Sequence, residues 1–201
     1  MRCLSGPGSA KPLRADARRN RARLLEAAEQ VFAEKGIGAS TEEIARQAGV
    51  GIGTVFRHFP TKEALLKAVF LGRLARLGEE AAALAESQEP GPAFFAFFTH
   101  AVDQSSAKSV LVDALEAAGV NVEAAVSEVA GQLDAVIGGL LANAQRVGAV
   151  RADIGADELK ALLVGASRAV EQAGVDPGTR ARTLAVLLDG LRPPAASRPP
   201  A

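Results

Sequence analysis

The most restrictive feature of this sequence is the stretch from Ser40 to Pro60, where two short runs of helical period flank Gly49-Val50-Gly51. Ser40-Thr41-Glu42-Glu43 has capping-box spacing, in which a serine and the glutamate three residues on satisfy each other's backbone N–H groups. Ile44, Ala45 and Ala48 supply the buried face of the helix that follows. Gly49 falls where the chain must turn through positive φ, which costs glycine little. A further short helix fits Ile52 to His58 and ends at Phe59-Pro60, because the residue before a proline is pushed out of the α region. Two helices joined this tightly form a helix-turn-helix when their positions of closest approach are small, as Ala45 and Gly49 are. Val50 and Val55 are placed to tie the later helix back onto the others, leaving Gly51, Gly53, Thr54, Arg57 and His58 on or near the outer face. A helix about 10 Å long, at 1.5 Å per residue, can enter a major groove end-on.

The flanking sequence reads the same way. Leu24, Leu25, Ala28, Val31 and Phe32 recur at helical spacing before Gly36, which predicts a first helix over 16–35. Residues 1–15, rich in Gly, Pro, Ser and Ala, read as a disordered basic arm. Thr61 caps a long fourth helix with Leu65, Leu66, Val69, Phe70, Leu74 and Leu77 on its inner face. Further helices follow Glu89-Pro90-Gly91-Pro92, the clearest over 121–147, then 156–173 and 177–191. Residues 193–201, with four prolines, read as a disordered tail. No segment alternates like a strand, and aromatic residues make up only 4% of the chain. The expected fold is all-α: a helix-turn-helix domain over 16–61 joined to a larger helical domain over 62–192.

A formal net charge of zero hides an asymmetry. Residues 1–78 carry 14 Lys/Arg against 7 Asp/Glu, whereas 79–201 carry 9 against 16. A basic module joined to an acidic one is expected when one end meets a polyanion. A single cysteine, Cys3, excludes an intrachain disulfide and a cysteine metal cage. The two histidines, His58 and His100, have no carboxylate pair or cysteine to complete a metal set, so no metal or cofactor is expected. The spacing Gly49-x-Gly51-x-Gly53-Thr54 imitates a phosphate loop, but it follows a helix rather than a strand and no Walker lysine comes after it. No nucleophile elbow, zinc-protease motif or acid/base pair appears, so catalysis is not expected. With no signal-like apolar core and no run of 18 apolar residues, the chain reads as cytoplasmic rather than membrane-bound.

The run from Leu25 to Gly36, the run Glu43-Ile44-Ala45-Arg46-Gln47-Ala48-Gly49-Val50 and the run from Gly53 to Leu66 together closely resemble the DNA-binding domain of TetR-family regulators. Gly148-Ala149-Val150-Arg151-Ala152-Asp153 is similar, less specifically, to ligand-binding domains of that family. The resemblance implies a homodimeric transcriptional repressor on a palindromic operator, released by a small-molecule effector. The alternative is a ligand-binding or scaffold protein whose helix-turn-helix no longer reads DNA. The expected DNA contacts are Thr41, Arg46, Gly51, Gly53, Thr54, Phe56, Arg57, His58 and Lys62. Arg57 suits phosphate or guanine, Thr41 lies at helix-end amides that favour an anion, and His58 is either a contact or a packed turn residue. Where the family has tyrosine, Phe56 lacks the hydroxyl that reaches phosphate, which leaves packing as its expected role. Gly51 stands where the family often has serine.

Phe94, Phe97 and Phe98 share a helical face, either as ordinary core or as the wall of an effector pocket with His100, Leu133 and Ile137. Gly138-Gly139 marks close packing or room for a ligand. Leu159, Leu163, Ala166 and Val170, then Leu184, Leu187, Leu188 and Leu191, form stripes that the resemblance assigns to a four-helix dimer interface, although a monomer core would show them too.

Overall fold

A computed structural model describes residues 10–171 and 176–194. Among the described residues there is no strand, and the helices are α1 (Ala10–Lys35), α2 (Thr41–Ala48), α3 (Ile52–His58), α4 (Lys62–Ser87), α5 (Pro90–Asp103), α6 (Ser105–Ala117), α7 (Val122–Arg146), α8 (Ala156–Glu171) and α9 (Pro177–Leu191). None of them is long and apolar enough to cross a membrane. They divide into two compact units, one of residues 1–72 and 114–120, the other of 73–113 and 121–201.

In the first unit α1 packs against α2, and α2 against α3. The buried set follows the helical period except at Leu25, which is half-buried: Leu24, Ala28, Val31 and Phe32 from α1, Ile44, Ala45 and Ala48 from α2, Val55 from α3, and Leu65, Leu66, Val69 and Phe70 from α4. The start of α1 differs from expectation. The helix begins at Ala10, so part of the segment read as a disordered arm is helical, while residues 1–9 lie outside the described residues. Pro12 does not prevent this, because in a first turn its missing N–H has no intrahelical partner to lose.

The second unit is built on α5, which packs against α7 and α8. Its core joins Phe94, Phe97, Phe98 and Val102 to Ile137, Leu140, Leu141 and Ala144, with Leu159, Ala166 and Leu191 from the last two helices. The prolines before α5, expected to precede the helix, lie within its first turn behind the N-cap Glu89, where proline's fixed φ is already helical. Gly91 is required by proximity, since an added Cβ would lie 2.8 Å from the Cβ of Ala149. The Gly148–Asp153 turn is itself clamped. Gln145 Nε2 donates to the carbonyls of Arg151 and Ile154, both at 2.9 Å. Arg151 donates its backbone N–H to the Leu191 carbonyl at 2.9 Å and its guanidinium to both Asp153 oxygens at 2.6 and 2.7 Å. That pairing holds the exposed Asp153 carboxyl down at about 2. The last described turn of α8 ends at Glu171, and expected helix residues 172 and 173 lie outside the described residues, as does 195–201 of the tail.

Candidate functional site: a nucleic-acid face and an aliphatic cavity

The α2–α3 unit is fixed at both ends by its own sequence. At the start, Ser40 Oγ accepts from Glu43 N at 3.2 Å and the Glu43 carboxylate accepts from Ser40 N at 3.1 Å, a complete capping box. At the end, Gly49 adopts φ 65, with its N–H bonded to the Arg46 carbonyl and that of Val50 to the Ala45 carbonyl, which is a Schellman closure. A third support has no short-range signature. Arg23 of α1 donates Nη2 to the Ala48 carbonyl at 2.7 Å, placing a cation on the negative end of α2. A Cβ at Gly49 would lie 3.1 Å from that same nitrogen. The glycine therefore supplies both the left-handed conformation and the space for the guanidinium.

Glu43 links the capping box to α1 through an ion pair with Lys35 Nζ at 2.7 Å. The lysine and the Ser40 N–H both favour its carboxylate and hold its pKa below the ordinary 4.5. The pairing therefore contributes fully above the ordinary carboxylate range and is lost as pH falls through the lowered folded value. In an NMR titration the Glu43 side-chain midpoint is expected below 4.5, and Lys35→Ala should move it up. A midpoint indifferent to that substitution would remove Lys35 as the cause.

Helix α3 turns Val55 fully inward and leaves Gly53, Arg57, Ile52 and Phe56 exposed, with Thr54 half-buried. Nothing lies within 4 Å of where a Cβ would stand at Gly51 or Gly53, so the backbone there is open to whatever approaches. Phe56 is 45% exposed, which corrects the packing role expected for it. His58 is half-buried against Phe59, with ring centroids 6.4 Å apart. Thr61 caps α4 by accepting from Ala64 N at 3.1 Å, and Lys62 occupies the first helical position. Thr41 is half-buried at the start of α2, while Arg46 is exposed and lies 3.9 Å from Glu43. The basic residues of α1 are not one undifferentiated cluster. Arg19 pairs with Asp16, Arg21 lies 5.3 Å over the Phe59 ring, and Arg23 caps α2, while Arg18 is exposed.

The second unit holds an open-mouthed cavity of about 380 Å³. Leu74 and Leu77 of α4, Val126, Leu133 and Ile137 of α7, and Leu163 and Val164 of α8 supply its apolar lining. Arg73, Gln104, Asp134, Lys160, Ser167 and Arg168 supply the polar groups. Lys160 Nζ lies 3.1 Å from Asp134 Oδ2, and that hydrogen bond raises the lysine pKa. Of the residues expected around a pocket, Leu133 and Ile137 are in this wall. Phe94, Phe97 and Phe98 are not: they are at most 1% exposed and fill the core, because that face of α5 is turned onto α7 and α8. His100 is not in the lining itself, but its Nε2 lies 2.7 Å from the Glu80 carboxylate and 2.5 Å from Nε2 of the lining residue Gln104. Gly138 and Gly139 have open space where a Cβ would stand, so no close contact within the chain requires them, and neither is in the cavity lining.

The stripes assigned to a dimer interface are buried in part within the chain itself. Leu159, Ala166 and Leu191 are buried in the unit's own core, Leu163 lines the cavity, and Val170, Leu184, Leu187 and Leu188 pack partly buried on that core. The apolar side chains that α8 and α9 leave most exposed are Val164, 60%, which also edges the cavity, and Val186, 71%.

Comparison with known proteins agrees with both units. Residues 24–69 match the family described as bacterial regulatory proteins of the tetR family, and residues 89–193 match the C-terminal domain of SbtR-like transcriptional regulators. A TetR transcription regulatory protein from Mycobacterium vanbaalenii is 45% identical, with 90% of this chain and 99% of that one covered and a TM-score of 0.74. A TetR transcriptional regulator from Streptomyces coelicolor is 34% identical, over 87% of this chain and 99% of its own, with a TM-score of 0.69. An HTH-type transcriptional regulator of Staphylococcus aureus (strain USA300) is 43% identical over 54 residues, which are 26% of this chain and 29% of that protein. With its helix-turn-helix, its second helical unit and these relatives in agreement, the chain belongs to the TetR family of DNA-binding transcriptional regulators.

Proposed function

We propose that this regulator is a cytoplasmic homodimeric repressor, held on a palindromic operator through α3 and released by a small molecule that enters the cavity. The observation that carries the reading is the presence in one chain of an open, basic α3 face and a separate aliphatic cavity with a few polar groups. Gly51 and Gly53 admit close approach of backbone to base edges, and Arg57 supplies a guanine or phosphate contact. Ile52 and Phe56 offer apolar contact to thymine methyl groups, so the missing tyrosine hydroxyl does not argue for a helix-turn-helix that has stopped reading DNA. Thr41 and Lys62 stand at helix starts, where N-terminal amides favour a phosphate. Two-fold symmetry follows from reading a palindrome with two recognition helices, and the outward Val186 with the half-buried Leu184, Leu187 and Leu188 of α9 offers apolar positions for the partner subunit to cover. The ligand acts by binding the released state more tightly than the operator-bound state, since equal affinity for both would shift nothing.

Purified protein titrated onto its own upstream DNA, followed by fluorescence anisotropy across a salt series, tests the DNA half. The expected result is tighter binding than to a scrambled duplex, with log affinity falling against log salt by about 0.9 for each phosphate neutralised. Equal, weak binding to the upstream duplex, the scrambled one and sequences selected from random DNA would return the protein to the scaffold reading.

A further inference from the structure

The lining of the cavity limits what can fill it. Leu74, Leu77, Leu133, Ile137 and Leu163 form the wall, and no aromatic ring is among the lining residues. Such a wall binds by removing apolar area from water, which a flexible chain satisfies, and it offers no ring face for a flat ligand to stack on. The charges are one-sided, with Arg73, Lys160 and Arg168 against Asp134 as the one carboxylate in the lining. Asp134 is already held by Lys160 at 3.1 Å, so it is a poor anchor for a cationic ligand. Asp157, 3.5 Å from the same ammonium, is 95% exposed and largely screened by solvent. Arg168 stands exposed at the rim of the cavity and makes no hydrogen bond or ion pair among the described residues; although solvent screens it in part, its guanidinium presents a fork that matches a carboxylate.

We propose that the cavity takes an amphipathic organic anion with an aliphatic body, the acyl chain lying along the leucine wall and the carboxylate seated at Arg168. This rests on the effector reading above and narrows it to a ligand class. Straight-chain carboxylates from hexanoate to dodecanoate, each below its micelle concentration, are titrated against protein loaded with the neutral fluorophore N-phenyl-1-naphthylamine. Displacement should tighten about fourfold per added methylene until the cavity is full. The matching 1-alkanols and alkylammonium ions should bind at least tenfold more weakly. Arg168→Ala should abolish the advantage of acid over alcohol, whereas Arg146→Ala, outside the lining, should preserve it.

The failures separate. Alcohols or alkylammonium ions that bind as well as the acids overturn the anionic class and leave the effector reading standing. Fluorophore uptake that no member of the series displaces overturns the aliphatic-anion proposal alone. No uptake of the fluorophore and no binding by any chain overturns both the proposal and the cavity as an effector site. An acid preference that survives Arg168→Ala overturns the assigned seat of the carboxylate.

Discussion

Phe97→Ala is expected to lower the unfolding free energy of the second unit by about 3–5 kcal/mol. The ring is 1% exposed and belongs to the core that joins α5 to α7 and α8. Alanine removes the ring's burial, and neighbours held on three helices cannot all collapse into the space, so the loss includes both transfer and cavity terms. Its neighbour Phe95 provides the control. That ring is half-buried, packs edge-on to Phe94 at 5.3 Å and lies under the Arg192 guanidinium at 4.5 Å. Phe95→Ala should cost clearly less, because a partly exposed cation–π contact contributes only about 0.5–1 kcal/mol. Urea denaturation followed by circular dichroism measures both. A Phe97 loss below about 1 kcal/mol, or one no larger than that of Phe95, would mean that the phenylalanine face is not the core.

The second large effect concerns DNA. Arg57→Ala should weaken operator binding by about 1–3 kcal/mol, or roughly 5- to 150-fold, and relax discrimination at the base it contacts. Arg57 lies in the last turn of α3, exposed and without an ion pair among the described residues, so its removal should leave stability within about 0.5 kcal/mol. Lys62→Ala should behave differently: weaker binding to operator and scrambled DNA alike, and a salt slope reduced by about one. Anisotropy titrations of both variants at several salt concentrations separate these patterns. Arg57→Ala that weakens both duplexes equally would make Arg57 a phosphate contact, and an unchanged affinity would remove it from the interface.

The local framework was legible because each device lies within a few residues. The Ser40–Glu43 box, the turn at Gly49 and the stop before Pro60 are all short-range patterns with one physical meaning. Contacts between distant segments were not legible. Arg23 carries no short-range signature, and only the fold shows its guanidinium on the carbonyl of Ala48. The phenylalanine cluster and the α8 and α9 stripes carried two readings each, since a core, a pocket wall and a subunit interface all require apolar residues at helical spacing. Burial places two of these: Phe97 fills the core and Leu133 lines the cavity, while Leu184, Leu187 and Leu188 stay half-buried. The polar half of the cavity, with Arg73, Asp134, Lys160 and Arg168 drawn from three helices, had no sequence signature.

The bare backbone at Gly51 and Gly53 has a consequence for descent. No neighbour within the protein requires either residue to be glycine, neither has the positive φ that would demand it, and a methyl group at 53 would favour the helix by up to about 1 kcal/mol. Both positions can therefore accept new side chains without disturbing Val55 or the turn at Gly49. A lineage carrying this scaffold can drift to a different operator by single codon changes at these two places, each tested by selection against DNA alone rather than against foldedness.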